Sequence, residues 1–168
     1  LMQQKNFQLL INSFSEISHE FDDYVLDIYG EGPLRMELQA LINQHNLSKR
    51  ITLWGARKDV LQQIADADLF VLSSNFEGFP NVLLEAMAIG LPVITTDFQT
   101  GVARELVGKE NGIIVPVDDK SAMVNALKTL LSDEQKRIWM GMNNREKARE
   151  FYIAVIMQEW VNALNSII

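Results

Sequence analysis

The 168 residues include no cysteine. That excludes a disulfide framework, a zinc knuckle and a cysteine nucleophile, and it fits a reducing compartment. No stretch approaches the roughly 18 consecutive apolar residues of a membrane span, and no charged n-region with an apolar h-region opens the chain. Basic residues are the minority: 15 Lys and Arg against 22 Asp and Glu leave a net charge of −7. A broad nucleic-acid-binding surface is therefore not expected. His19 and His45 are the two histidines, without a cluster around them, and both read as surface residues. Asp66 and Asp68 flank Ala67 ahead of an apolar run and read as turn or cap residues, so no metal is expected. With four prolines and nine glycines there is no linker long enough to divide the chain. One domain is expected, long enough to build a core without a covalent or metal staple.

What is present is an alternation of strand and helix signals. Phe7, Leu10, Ile11, Phe14, Ile17 and Phe21 recur at helical spacing and predict a helix over 6–21. Residues 24–29 form a β-rich run ending at Gly30-Glu31-Gly32-Pro33. Pro33 suits a first helical turn, and Leu34, Leu38, Leu41 and Ile42 supply its apolar face. Ile51-Thr52-Leu53-Trp54 reads as a strand, Asp59 as an N-cap for a short helix, and 69–72 as a strand covered on both faces. A loop over 73–80 precedes a helix from Asn81 to Ile89. A strand at 92–96, a short helix at 104–107 and a strand at 112–115 follow. Asp118 or Asp119 can cap the next helix, and Ser132-Asp133-Glu134-Gln135 fits a capping box. A last helix carries Ile156, Trp160, Leu164 and Ile167. Trp54, Trp139 and Trp160 read as packing residues.

Strands alternating with helices imply right-handed β-α-β units, hence an α/β fold: a Rossmann-like, doubly wound parallel sheet with helices on both faces. The first helix has only the stub Leu1–Gln4 before it, where a strand is expected. The chain also opens at Leu1 rather than at a methionine. Both signs suggest a fragment cut at or inside its first strand.

Ligands of such sheets bind beyond the carboxyl ends of the strands. The stretch Ser73-Ser74-Asn75-Phe76-Glu77-Gly78-Phe79-Pro80-Asn81 runs into a helix there. The free N–H groups and dipole of that helix make an anion site suited to phosphate. Glu77 and Glu85 stand eight positions apart, close to two helical turns. Two carboxylates beside a phosphate site make sense as acceptors for the hydroxyls of a sugar or ribose. Glu85 sits in an otherwise apolar helix, and an unpaired buried charge there would be costly.

Glu77 to Glu85 resembles the E-x7-E element of the group 1 (family 4) glycosyltransferases, retaining enzymes of the GT-B fold. The resemblance extends over the whole chain. Lys5-Asn6 is similar to the basic loop before the first helix of the family's C-terminal domain, and Tyr29-Gly30-Glu31-Gly32-Pro33 to its second loop. Residues 55–60 are similar to the third loop. Gly90-Leu91-Pro92-Val93 and Asn111-Gly112 complete the pattern. The fold implied is the C-terminal half of GT-B, one nucleotide-sugar-binding domain over 1–168 with the N-terminal acceptor domain missing.

The resemblance implies Lys5 and Glu77 as catalytic residues. Lys5 would hold and stabilise the departing diphosphate, and Glu77 would meet the donor sugar's hydroxyls. Backbone N–H groups of Asn81, Val82 and Leu83 would join the phosphate, behind Pro80. Glu85 would take the ribose hydroxyls, Gly78 and Phe79 would shape the sugar pocket, and Gly30 would line the second loop. Residues 57–60, from Arg57 to Val60, would touch the base, expected to be uracil. The implied donor is a UDP-sugar with no cofactor and no metal. The implied acceptor is a glycan or lipid-linked saccharide in bacterial polysaccharide assembly, bound by the missing domain. The location implied is cytoplasmic, with peripheral membrane contact reserved for the longer enzyme, and the fragment alone is expected to be inactive. Two features depart from the pattern: the Arg of a Gly-Arg pair expected before Lys5 is absent, and Thr100-Gly101-Val102-Ala103 lacks a glycine pair. Two other readings stay open: a GT-B epimerase or phosphorylase, and a non-catalytic nucleotide-binding α/β module.

Overall fold

Alternating apolar residues decide how the strands are covered. In the computed structural model, which describes residues 1–152 and Met157, the strands are β1 (Leu26–Tyr29), β2 (Ile51–Gly55), β3 (Phe70–Leu72), β4 (Val93–Thr96) and β5 (Gly112–Val115). The helices are α1 (Phe7–Ile17), α2 (Arg35–Gln44), α3 (Val60–Gln63), α4 (Asn81–Ile89), α5 (Val102–Leu106), α6 (Lys120–Leu131) and α7 (Glu134–Arg149). In the three-stranded sheet, Val71, Ile94, Ile113 and Val115 pack into one core with α1, α2 and α6. Phe70, Leu72, Val93 and Ile114 pack into a second core with α4, α5 and Ala148 of α7. Side chains that alternate across a pleat thus feed two layers of helices. The fold is α/β and doubly wound, with helices on both faces.

All strand pairings among the described residues are parallel, as expected. They form two sheets rather than one continuous one, ordered β2-β1 and β3-β4-β5. One core spans both, because Ile28, Ile51 and Leu53 join the cluster that holds Ile94 and Val115. Residues 1–6 bridge the loops that follow β1 and β3. The Leu34 N–H donates to the Leu1 carbonyl at 3.3 Å, beyond β1, and the Asn75 N–H donates to the Gln4 carbonyl at 2.8 Å, beyond β3.

Several local expectations are corrected. Helix α1 stops at Ile17, where the N–H groups of Glu20 and Phe21 both turn back to the Ile17 carbonyl. Phe21 still reaches the core, through a turn rather than a helix. The stub before α1 is a 3₁₀ turn at Gln3–Lys5, not strand. Pro33 stands outside α2, and Leu34 is its cap. Of the two candidate caps of α6, Asp119 accepts the Ala122 N–H at 2.9 Å. Asp133, not Ser132, caps α7 by accepting the Lys136 N–H at 2.9 Å, while Ser132 Oγ donates back to the Lys128 carbonyl. Asp68 forms an ion pair with the buried Arg137 at 3.3 Å instead of capping. His45 is half-buried and hydrogen-bonds Asn12 Oδ1 at 2.8 Å, whereas His19 is exposed. The expected helix with Ile156, Trp160, Leu164 and Ile167 lies outside the described residues. No helix among the described residues is long and apolar enough to cross a membrane.

Candidate functional site

Asn6 starts the construction of the site. It is the N-cap of α1 in the left-handed region, φ 45°, and its side chain accepts the Leu9 N–H at 3.2 Å. Asparagine tolerates that conformation better than most residues because its short amide can bond locally. Its Nδ2 donates to Asn75 Oδ1 at 2.8 Å and to Asp118 Oδ1 at 3.2 Å. One buried side chain therefore ties the start of α1 to the loops after β3 and β5. The sequence reading missed this role. Its available signal was an Asn directly before an apolar-periodic run.

The turn at Asn6 delivers Lys5 to the loop after β3. Ser73 Oγ donates to the Lys5 carbonyl at 2.8 Å, and Gln4 Nε2 donates to the Phe76 carbonyl at 2.6 Å. Lys5 Nζ reaches Glu77 Oε1 at 2.7 Å, across 72 positions of sequence. Ser74 Oγ donates to the same oxygen at 2.6 Å. Glu77 is only 6% exposed. Its negative charge is tolerable at that depth because a cation and a hydroxyl both face it.

Glu85 is placed differently. It lies on the exposed side of α4 with no ion-pair partner among the described residues. The expectation that burial of its helix makes Glu85 a buried charge is overturned. The apolar side of α4 (Leu83, Ala86, Met87) faces the core, and Glu85 lies on the opposite, wet side.

At the start of α4, Pro80 is buried and serves as the N-cap residue. Asn81 and Val82 are exposed, and Leu83 is fully buried. The three expected N–H groups are not equally free. That of Asn81 donates to the Phe79 carbonyl at 3.0 Å and that of Leu83 to the Pro80 carbonyl at 2.9 Å. Val82 N–H has no such acceptor among the described residues. Gly78 is exposed, outside the left-handed region, and a Cβ built on it would meet nothing within 4 Å among the described residues. Packing among the described residues does not require a glycine there. Phe79 is exposed, with its ring 6.4 Å from that of Phe151.

The loops after β1 and β2 form a second group. Gly30 has φ 132°, which favours glycine, and its N–H donates to the Gly55 carbonyl at 2.9 Å. The Tyr29 and Trp54 rings stack at 6.4 Å with an 11° interplanar angle, and the Arg57 guanidinium lies 5.7 Å over the Trp54 ring. Trp54 is 42% exposed, so its packing is a surface stack on Tyr29 rather than burial in the core. Trp139 is also exposed. Burial and the Asp27 carboxylate push the Tyr29 phenol above its ordinary pKa. Arg57 is exposed and Val60 half-buried at the start of α3. The structure thus joins Lys5 directly to Glu77, sets both beside the start of α4, and gathers Gly30 and Arg57 around the Tyr29–Trp54 stack.

Comparison with known proteins bears on the family and the fold. The profile of the family described as glycosyl transferases group 1 matches residues 1–133. A Campylobacter jejuni enzyme named N-acetylgalactosamine-N,N'-diacetylbacillosaminyl-diphospho-undecaprenol 4-alpha-N-acetylgalactosaminyltransferase is 38% identical over 146 residues, covering 86% of this chain and 38% of that enzyme. Anabaena HepE, solved in complex with UDP, superposes with a TM-score of 0.88 at 26% identity, over 99% of this chain and 46% of that one. S. aureus TarM gives a TM-score of 0.88 at 23% identity, over 96% of this chain and 33% of that one, a likeness of fold alone. The chain spans less than half the length of each of these proteins.

Proposed function

This chain belongs to the group 1 glycosyltransferase family, and from that premise we propose that it is the donor-binding domain of a retaining, GT-B glycosyltransferase that uses a UDP-sugar. The observation that carries the reading is the buried Glu77 carboxylate, bonded to Lys5 and Ser74 beside the start of α4. A cation and a carboxylate held together at the mouth of a helix can divide a nucleotide-sugar between them. Lys5 exchanges its partner for the diphosphate as it arrives, and the Val82 N–H and the α4 dipole add to it. Glu77, released from Lys5, accepts from a hydroxyl of the sugar. In the transition state the charge grows on the departing diphosphate, and fixed donors stabilise it without a metal.

Gly78 supports the sugar's position. No described residue fills the space where its side chain would be, so the backbone is open there to close approach by a ligand. Glu85, exposed and unpaired among the described residues, is free to accept both ribose hydroxyls. The UDP complex of HepE supports uridine as the nucleotide, and the name of the Campylobacter relative supports a lipid-linked saccharide as acceptor. We assign the acceptor to a second domain of a longer, cytoplasmic enzyme. Strands β1 and β3 each have one edge unpaired among the described residues, and residues 1–6 lie between the loops that follow them. A further strand between those edges would make the two sheets one.

Titration with UDP tests the reading. Glu85 is exposed and makes no ion pair among the described residues, so Glu85→Ala is expected to leave the melting temperature unchanged. It should weaken UDP binding by about tenfold or more, the scale of a lost hydrogen bond to a charged group. An intact protein that shows no UDP binding at millimolar ligand overturns the assignment.

A further inference from the structure

Resting on the reading just given, we infer that Ser74 is the positioning residue of Glu77, the fixed donor that keeps the carboxylate aimed when Lys5 leaves it. The two donors to Glu77 Oε1 differ in freedom. Lys5 is the end of a flexible four-carbon stem, and its side chain is one-third exposed. Ser74 is fully buried directly after β3. Its carbonyl accepts from Thr96 Oγ1 at the end of β4, itself fully buried. The strand ends therefore hold the backbone of Ser74, and its hydroxyl has little choice of direction.

Both hydrogen bonds that Glu77 accepts from described side chains fall on Oε1, and Oε2 accepts none among the described residues. With Oε1 occupied by the protein, Oε2 is the oxygen left for an incoming hydroxyl. If Lys5 were its one anchor, transfer of Lys5 to a diphosphate would free the Glu77 side chain to rotate just when it is needed. The hydroxyl of Ser74 prevents that rotation, a use of preorganisation that loses nothing when the ligand arrives. Ser74 touches neither sugar nor phosphate in this scheme. It acts through Glu77.

The test measures affinity for UDP, UDP-glucose, UDP-N-acetylglucosamine and UDP-N-acetylgalactosamine on the intact protein and three variants. Wild type is expected to bind at least one of the sugar nucleotides more tightly than UDP. Ser74→Ala should lose that preference, roughly tenfold in affinity for the preferred donor, with UDP affinity held within a factor of two. Ser74→Thr, which keeps the hydroxyl, should restore it. Ser74→Cys keeps the side-chain size with a weak donor, and stands in should Ser74→Ala fail to fold. A Ser74→Ala or Ser74→Cys protein that retains full preference overturns the inference. So does a wild type that binds UDP and sugar nucleotides alike. A wild type that fails to bind UDP sinks the functional reading itself, and the two failures are told apart by UDP alone.

Discussion

The loops after β2 and β3 both lead from a parallel strand into a helix, yet they are built differently. Along 73–80, Ser73, Ser74, Glu77 and Pro80 are buried. Ser73, Asn75, Phe76 and Glu77 each hydrogen-bond to a residue between Gln4 and Asn6. Along 56–59, all of Ala56, Arg57, Lys58 and Asp59 are exposed. The side-chain bond formed there runs from Gln63 to Asp59 at 3.0 Å, within the next turn of helix. The strands differ less: β3 runs from half-buried to buried, whereas β2 alternates buried and exposed. The difference teaches where precision is needed. Groups that handle charge act through short, directional contacts and have to be fixed in advance. In the proposed scheme, a surface for a flat aromatic base would need area more than angle.

Asn6 offers the sharpest way to break the wired loop. Asn6→Ala removes the α1 cap, the ties to Asn75 and Asp118, and a residue that tolerates φ 45°. Loss of a cap alone costs about 1 kcal/mol and a left-handed alanine about another, so we expect a destabilisation of roughly 2–3 kcal/mol by denaturant unfolding. Asn6→Gly keeps the backbone freedom and should cost only about 1 kcal/mol. Equal losses for the two would show that the conformation of residue 6 is not what holds Lys5 in place.

What the sequence disclosed and what it withheld follow the same divide. Local patterns were legible: the apolar period of α1, the parallel strands, the glycine stop of α4, and the spacing from Glu77 to Glu85. Each depends on neighbours within a few turns. The Lys5–Glu77 bond joins residues 72 positions apart, and no local pattern encodes it. Composition misled for Glu85, because an apolar helix can still turn one position to water; the phase of the helix decided, with Leu83, Ala86 and Met87 claiming the core. Trp54 packs, but at the surface on Tyr29, for a similar reason. It belongs to the exposed set of β2, out of phase with Ile51 and Leu53. Of the two aspartates that could cap α6, the backbone chose Asp119 and left Asp118 at φ 60° to meet Asn6.

Gly78 sharpens the comparison from the other side, since it sits in the wired loop without being wired. A methyl group there meets nothing among the described residues, and the backbone is outside the left-handed region. Gly78→Ala should therefore leave the fold intact or stabilise it by up to about 0.5–1 kcal/mol, through a less flexible unfolded chain. Its penalty should appear in the affinity for UDP-sugars, with UDP itself affected less. Destabilisation would mean that the open space at Gly78 serves the protein rather than a ligand.

Arg57 should give the smallest effect on stability. Its guanidinium covers an exposed indole, and such surface cation–π contacts contribute about 0.5–1 kcal/mol at most. Arg57→Ala is thus expected to shift unfolding by no more than about 0.5 kcal/mol. UDP affinity should fall about two- to threefold, and pyrophosphate affinity should fall less. Arg57→Lys separates two causes, because it keeps the charge and loses the flat stacking surface. If lysine restores UDP binding, the residue acts by its field on the phosphates, and the loop after β2 contributes no base-shaped surface. If lysine fails while pyrophosphate binding stays constant, the stack of Tyr29, Trp54 and Arg57 is the open half of the site, reading a ring where the loop after β3 holds a charge.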